Sequence, residues 1–294
     1  MDLMWVDQPG ADSRIAAMRT IPGKAELADR IDEFRRDGYT VLRGAVSHAA
    51  IDEYIAAFDK AAQSDMSINV SYGRDVYPIA GQDLRKPLLK VLDTLVKIPS
   101  ALPLAFAPAL SEFLTTIFDE APLAFQSLHF EVGSTQAIHQ DTAYVVTERP
   151  NRLAAAWIAL EDIHPGTGEL VYYPGSHKFG PFLYPGGKKH WSPEDDGNAI
   201  HDHHLHWLHE TAREQGVKEM AFLPKKGDVL IWHADLAHGG GKITDPNATR
   251  RSFVVHYTGR SVDPFYFRGA GADRRKKVSV PGGAVSSMYY DVNF

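Results

Sequence analysis

His139 and Asp141, in the segment IHQDTAY, stand two residues apart. On an extended backbone, positions i and i+2 project to the same side. An imidazole and a carboxylate can therefore meet one ion while Gln140 faces away. A third ligand must come from elsewhere, and IWHADLAHGGG offers His233 and His238. Two neutral imidazoles and one carboxylate on one face of an octahedron leave three positions open, the donor set of non-haem Fe(II) oxygenases.

The segment ATRRSFVVHYTG supplies a different chemistry. As a strand, it sets Arg250, Ser252, Val254 and His256 on one face and Arg251, Phe253, Val255 and Tyr257 on the other. The second set is mostly apolar and suits packing under helices. An arginine on the first set, inside a barrel, needs an anion, and a dicarboxylate cosubstrate supplies one through a bidentate fork. Arg250 is therefore favoured over Arg251.

A denser histidine cluster lies in HDHHLHWLHE, where five of the 14 histidines fall between residues 201 and 209. On a helix, His201 with His204 or His206 with His209 would be surface neighbours. Such pairs bind metals adventitiously, and the segment lacks a spacing such as H-E-x-x-H. It reads as part of a lid, with Trp207 or a histidine presented to a substrate.

The elements around these residues change character along the chain. Residues 24–37 carry Leu27, Ile31 and Phe34 at helical spacing, with Gly38 as a stop. YTVLRGAV reads as a short strand, and Ser47 can cap a second helix over about 48–63. LRKPLLKVLDTLVKI and ALSEFLTTIF read as further helices, so the chain is mainly helical from about 24 to 120. After Pro122, the runs LAFQSLHFEV, LAAAWIALEDI, ELVYYPGS, DVLIWHA and RSFVVHYTG are rich in aromatic and β-branched residues. They predict a β core over about 122–260, interrupted by a lid-like insertion at about 180–218. One domain over 1–294 is the economical reading.

Composition narrows the setting. With no cysteine, thiolate ligands, thiol nucleophiles and disulfides are excluded. A net charge of −6 argues against a general nucleic-acid footprint. The most apolar stretch, LPLAFAPAL, is too short to span a bilayer and holds two prolines. The acidic N-terminal segment does not read as a secretory signal, so a cytoplasmic protein without membrane contact is expected.

Four blocks in order, HQDTAY, WIALEDIHPGTGELVYYPGSH, GDVLIWHADLAHGGG and RRSFVVHY, together with the opening DEFRRDGYTVLRGAVS, resemble the phytanoyl-CoA dioxygenase family of Fe(II)/2-oxoglutarate oxygenases. The resemblance covers roughly residues 25–260. It implies a double-stranded β-helix, a jelly-roll and cupin-like barrel, with an N-terminal helical region. It also implies Fe(II) on His139, Asp141 and His238, the last chosen over His233 because it precedes the glycine-rich turn. The 2-oxoglutarate anchor falls on Arg250 with Ser252, while Trp157 and Gln126 lie beside the cosubstrate. The implied activity is O₂-dependent hydroxylation of an unactivated C–H bond of a small organic substrate, releasing succinate and CO₂.

Two positions depart from the family pattern. Gly240 stands where a serine is common two residues after the distal histidine, and EVGS brings Glu131 where a Lys-Pro pair is common. Asp141 argues against the halogenase branch, which lacks that carboxylate. Tyr144, just past the carboxylate ligand, is expected to line the substrate pocket. Tyr72, Arg74 and Tyr77 of the loop SYGRDVYP, with the insertion, are expected to set specificity. His177 reads as a turn residue and Arg274–Lys277 as a solvated basic run. The rival readings are a metal- or ligand-binding barrel without turnover, and a zinc hydrolase using the same three ligands, which would leave the Arg250 clamp without a purpose.

Overall fold

The helical spacing at the start of the chain does turn one face inward. A computed structural model describes residues 3–269, 271 and 275–294. Helices α1 (Ala11–Arg19) and α2 (Ala25–Asp37) lead into strand β1 (Tyr39–Leu42) and helix α3 (His48–Ser64). Ala28, Ile31 and Phe34 of α2 are buried, and the Ser47 hydroxyl accepts the Ala50 N–H at 3.2 Å as the N-cap of α3.

The next stretch departs from expectation twice. SYGRDVYP is a hairpin, β2 (Asn69–Tyr72) and β3 (Asp75–Pro78), turned at Gly73 with φ of 63°. LRKPLLKVLDTLVKI does not form one helix: it gives strand β4 (Lys90–Leu92) and a single turn, α4 (Thr94–Lys97). Leu88 and Asp93, with φ of 69° and 46°, break any helix on both sides of β4. Val91 and Leu92 pair instead with His129 and Leu128 of a neighbouring strand, so tertiary pairing overrides local propensity. Helices α5 (Leu102–Ala105) and α6 (Pro108–Phe118) complete the helical region.

Then follow β5 (Pro122–Phe130), β6 (Leu153–Ala159), β7 (Leu170–Tyr172), α7 (Pro193–Asp196), α8 (Asn198–Glu214), β8 (Met220–Phe222), β9 (Val229–His233), β10 (His238–Gly240), β11 (Ser252–Gly259), β12 (Val278–Val280) and β13 (Gly283–Val285). The large sheet runs β1-β9-β6-β11-β5-β4-β2-β3, with β13 beside β5 and β12 beside β13. A smaller sheet runs β10-β7-β8. All pairings are antiparallel except β13 with β5. This is the two-sheet arrangement of a double-stranded β-helix with helices against one face.

Period-two alternation explains why the strands read as continuous apolar runs. Ala154, Ala156, Ile158, Ile231, Phe253, Val255 and Tyr257 face the helices and pack with Phe34, Phe58 and Phe113. Ala155, Trp157, Leu230, Trp232 and Val254 face the interior between the sheets. Both faces are buried, and each fully buried large side chain contributes about 1.5–3 kcal/mol. Among the described residues, no single helix is long and apolar enough to cross a membrane.

Candidate metal centre and its cavity

His139 and His238 face each other across an isolated antiparallel bridge, exchanging N–H···O bonds of 2.9 Å in both directions. Gln140 is extended, at φ −106° and ψ 135°, so His139 and Asp141 share a side as the i and i+2 pattern requires. Gln140 turns away to donate to the Asp235 carbonyl at 2.7 Å and meet His204 Nε2 at 3.2 Å. A nitrogen of His139, an oxygen of Asp141 and a nitrogen of His238 all lie within 4.8 Å of one another.

The backbone sets the tautomers. His139 Nδ1 lies 2.8 Å from the Ala137 carbonyl and His238 Nδ1 lies 2.9 Å from that of Leu236. A carbonyl only accepts, so both Nδ1 atoms donate and both Nε2 lone pairs face Asp141 Oδ1, each at 3.6 Å. The other carboxylate oxygen is already engaged: Trp232 Nε1–H donates to Oδ2 at 2.7 Å, and His256 Nε2 lies 3.4 Å from it. Burial alone would push the Asp141 carboxyl up, but His238, His256 and the hydrogen bonds outweigh it and hold the group well below the carboxylate range. Burial pulls His238 down to about 4 against the attraction of Asp141, leaving a neutral imidazole near neutrality. Neutral nitrogens and an ionised oxygen are the donor forms that a divalent iron takes.

The three side chains open onto a cavity of about 410 Å³ between the sheets. Arg250 lines its inner end, 3% exposed, where Nε donates to the Gly168 carbonyl at 3.1 Å and one terminal NH₂ to Ser252 Oγ at 2.7 Å. Its guanidinium carbon lies 5.5 Å from the ring centres of both Phe130 and Trp157. Burial lowers Arg250 to about 10, opposed by the more distant Glu169 and Glu161. Among the described residues it has no ion-pair partner, so a buried cation awaits an anion. Arg251 points the other way and pairs with Glu131 at 2.9 Å, as the strand alternation requires.

The remaining expected residues divide. Gln126, Trp157, Tyr144 and Arg74 line the cavity, and the Tyr144 hydroxyl bonds His201 Nε2. Tyr72 does not line it: alternation along β2 sends Ser71 inward, and the Tyr72 ring lies 3.4 Å under Lys86 Nζ instead. Tyr77 is likewise outside the lining, where Val76 takes its place. Trp207 packs beside Phe182 and His204 in the lid rather than reaching the cavity.

His233 stands apart from the triad, with Nδ1 accepting the Asp235 N–H at 3.0 Å and Nε2 3.4 Å from Asp7. His177 reaches the Arg35 carbonyl from its turn at 3.1 Å. The histidine cluster is indeed helical, in α8. His204 is buried and holds Gln140, while His206 pairs with Glu210 at 3.1 Å on the surface. Of the basic run, Arg274 lies outside the described residues.

Lys90, Ser134, His256 and Tyr289 also line the cavity and were not singled out as site residues from sequence. Lys90 was hidden by the helix expected over its segment; His256 could have been found by the strand alternation that selected Arg250. A side chain at Gly240 would meet Ser134 Oγ at 2.7 Å and Thr135 N at 2.6 Å. The space that the family's serine would take is therefore filled from the loop opposite.

Comparison with known proteins gives a consistent set of matches. The family model described as phytanoyl-CoA dioxygenase (PhyH) matches residues 34–252. Peroxisomal phytanoyl-CoA dioxygenase of Bos taurus is 26% identical over 238 residues, covering 76% of this chain and 66% of that protein. The Homo sapiens protein of the same name is 22% identical over 255 residues, covering 82% and 70%. Among solved structures, the epimerase SnoN with Fe3+, alpha ketoglutarate and nogalamycin RO aligns with a TM-score of 0.62 at 19% identity, covering 89% of this chain and 98% of that one. EctD from S. alaskensis with 2-oxoglutarate and 5-hydroxyectoine aligns with a TM-score of 0.56 at 18% identity, covering 86% and 78%. At such identities, the two structures speak for the fold.

Proposed function

Because this chain belongs to the phytanoyl-CoA dioxygenase family, we propose that it is an Fe(II)- and 2-oxoglutarate-dependent oxygenase that hydroxylates a small organic substrate. The observation that carries the reading is the convergence, on one cavity, of the His139, Asp141 and His238 donors and the buried Arg250, which has no ion-pair partner among the described residues. In this reading His139, Asp141 and His238 would hold the iron at the cavity. Arg250, kept in place by the Gly168 carbonyl and Ser252, grips the distal carboxylate of 2-oxoglutarate. Trp157 and Phe130 flank that guanidinium and keep water from the ion pair. Gln126, further along β5 and on the same lining, would meet the cosubstrate. When bound, iron and 2-oxoglutarate supply the oxidising power: O₂ is consumed, the keto acid becomes succinate and CO₂, and one oxygen atom enters the substrate C–H bond.

The chain's own part is to bind, orient and exclude water, and no side chain need act as an acid or base. Residues 1–294 are read as one oxygenase domain, and the compartment as the cytoplasm, whereas the mammalian relatives are named as peroxisomal. The test is anaerobic addition of Fe(II) and 2-oxoglutarate to metal-free protein, followed by the visible charge-transfer band of the iron-bound keto acid. The band is expected in the wild type and strongly reduced in Asp141→Ala and Arg250→Ala. A folded wild-type protein that binds Fe(II) and shows no band would sink the cosubstrate assignment.

A further inference from the structure

We propose that the substrate carries an anionic group, a carboxylate on a partly apolar skeleton, and that Arg74 receives it by releasing Glu194. The proposal rests on the oxygenase reading above and extends it to the substrate half of the same cavity. Three cationic side chains line that cavity, Arg74, Lys90 and Arg250, against a single carboxylate, Asp141. Iron(II) with Asp141 leaves one positive charge, Arg250 adds one, and the cosubstrate dianion removes both. The charge of Arg74, once released from Glu194, is then uncompensated at the mouth. Lys90 adds no firm charge to this balance, because burial lowers its pKa against the opposing field of Asp141. In a site walled by Leu128, Val76, Val145 and Trp157, such an imbalance favours an anion and repels an amine.

Arg74 is the group placed to choose. It sits at the turn of the β2–β3 hairpin, lines the cavity mouth, and pairs with Glu194 of α7 at 2.9 Å. The two side chains are 70% and 71% exposed, so their pair is a weak one and is readily exchanged. Glu194 belongs to the insertion, 120 residues away along the chain, so the pair spans the mouth between hairpin and lid. An incoming carboxylate can replace Glu194 on the guanidinium with a bidentate fork. Val76 and Tyr144, both on the lining and both partly exposed, offer apolar surface for the skeleton behind it.

The experiment uses the iron- and 2-oxoglutarate-loaded protein and reads probe-stimulated succinate formation. The probes are phenylacetate, phenylacetamide and phenethylamine, with octanoate, octanamide and octylamine as a second matched set. At least one acid is expected to stimulate turnover well above its own amide and amine, and its KM should rise with salt. Arg74→Gln should raise the KM for that acid about tenfold with little change in kcat, and leave its amide unaffected. Glu194→Gln should lower the acid's KM by about two- to fivefold, because the competing carboxylate is gone. A panel in which no acid exceeds its amide, or an acid preference that survives Arg74→Gln, overturns the proposal. The charge-transfer band is recorded first without any probe. Its absence condemns the oxygenase reading, while its presence with a failed panel condemns the anionic substrate alone.

Discussion

The indole N–H of Trp232 reaches Asp141 Oδ2 at 2.7 Å, while Oδ1 faces both histidine nitrogens at 3.6 Å. One carboxylate oxygen is thus committed to the protein and the other is left for an ion, an outer contact of the sort that sets ligand direction. Trp232→Phe keeps an aromatic ring but removes the donor, along with part of the indole's volume. Fe(II) affinity is expected to fall by roughly 10- to 100-fold, read by anaerobic titration, with the circular dichroism spectrum unchanged. Unchanged affinity would mean that His256, 3.4 Å away, or packing alone orients Asp141. At this scale the triad was legible because two ligands lie two residues apart and the third precedes a glycine run. Their supports were not, because Trp232 and His256 come from β9 and β11 and meet Asp141 only in three dimensions.

Among the elements, the turn before β7 leaves no room for a side chain near the site. Gly168 has φ of 80°, and a Cβ there would meet the Gly133 Cα at 2.8 Å and Ile243 Cγ1 at 2.9 Å. Its carbonyl is the acceptor that fixes Arg250 Nε. Gly168→Ala must strain the backbone and push two segments apart, at about 1–3 kcal/mol of stability. It should also weaken 2-oxoglutarate binding, because the Arg250 anchor moves with the turn. Chemical denaturation and cosubstrate titration of the charge-transfer band check the two halves. A loss of stability with cosubstrate affinity intact would leave Arg250 held by Ser252 alone.

The β11 alternation placed Arg250 inside and Arg251 outside from the order of apolar residues alone, and the structure keeps that order. β4 and the β2–β3 hairpin escaped the same reasoning. The hairpin strands are short and half polar, the apolar spacing around β4 reads as helical, and β4 exists only through its pairing with β5 and β2. Lys90, Ser71 and Val76 were lost with them, whereas Arg74 at the hairpin turn was singled out and does line the cavity.

Over the whole molecule, buried titratable groups predict how stability follows pH. His204 Nδ1 lies 2.8 Å from the Tyr184 hydroxyl and Nε2 lies 3.2 Å from Gln140 Oε1, so a neutral ring protonated at Nε2 is satisfied on both sides. Burial lowers both His204 and His177 from 6.5 to about 4. Their folded-state pKa lies below the unfolded one, so the stability they confer is complete above about 6.5 and is lost as pH falls toward 4. Asp93 acts in the opposite sense: burial raises it from 3.8 to about 6, so its contribution is complete below 3.8 and is lost as pH rises through 6.

Away from the metal centre, these two histidines against one aspartate leave a net loss on acidification, on the order of a few kcal/mol at about 1.4 kcal/mol per pKa unit, and the lowered His238 adds to it in the metal-free protein. Urea unfolding measured between pH values of roughly 4 and 7 should therefore show stability falling as the solution is made acidic. Asp93→Asn removes the opposing contribution and should steepen that fall, whereas His204→Gln should flatten it. Because His204 ties α8 to Gln140, between the two metal ligands on that segment, acidification should also loosen the lid before the β core unfolds. Amide exchange that rises in α8 ahead of β6 and β11 is the expected sign. Uniform exchange across all three would mean that lid and core open as one unit.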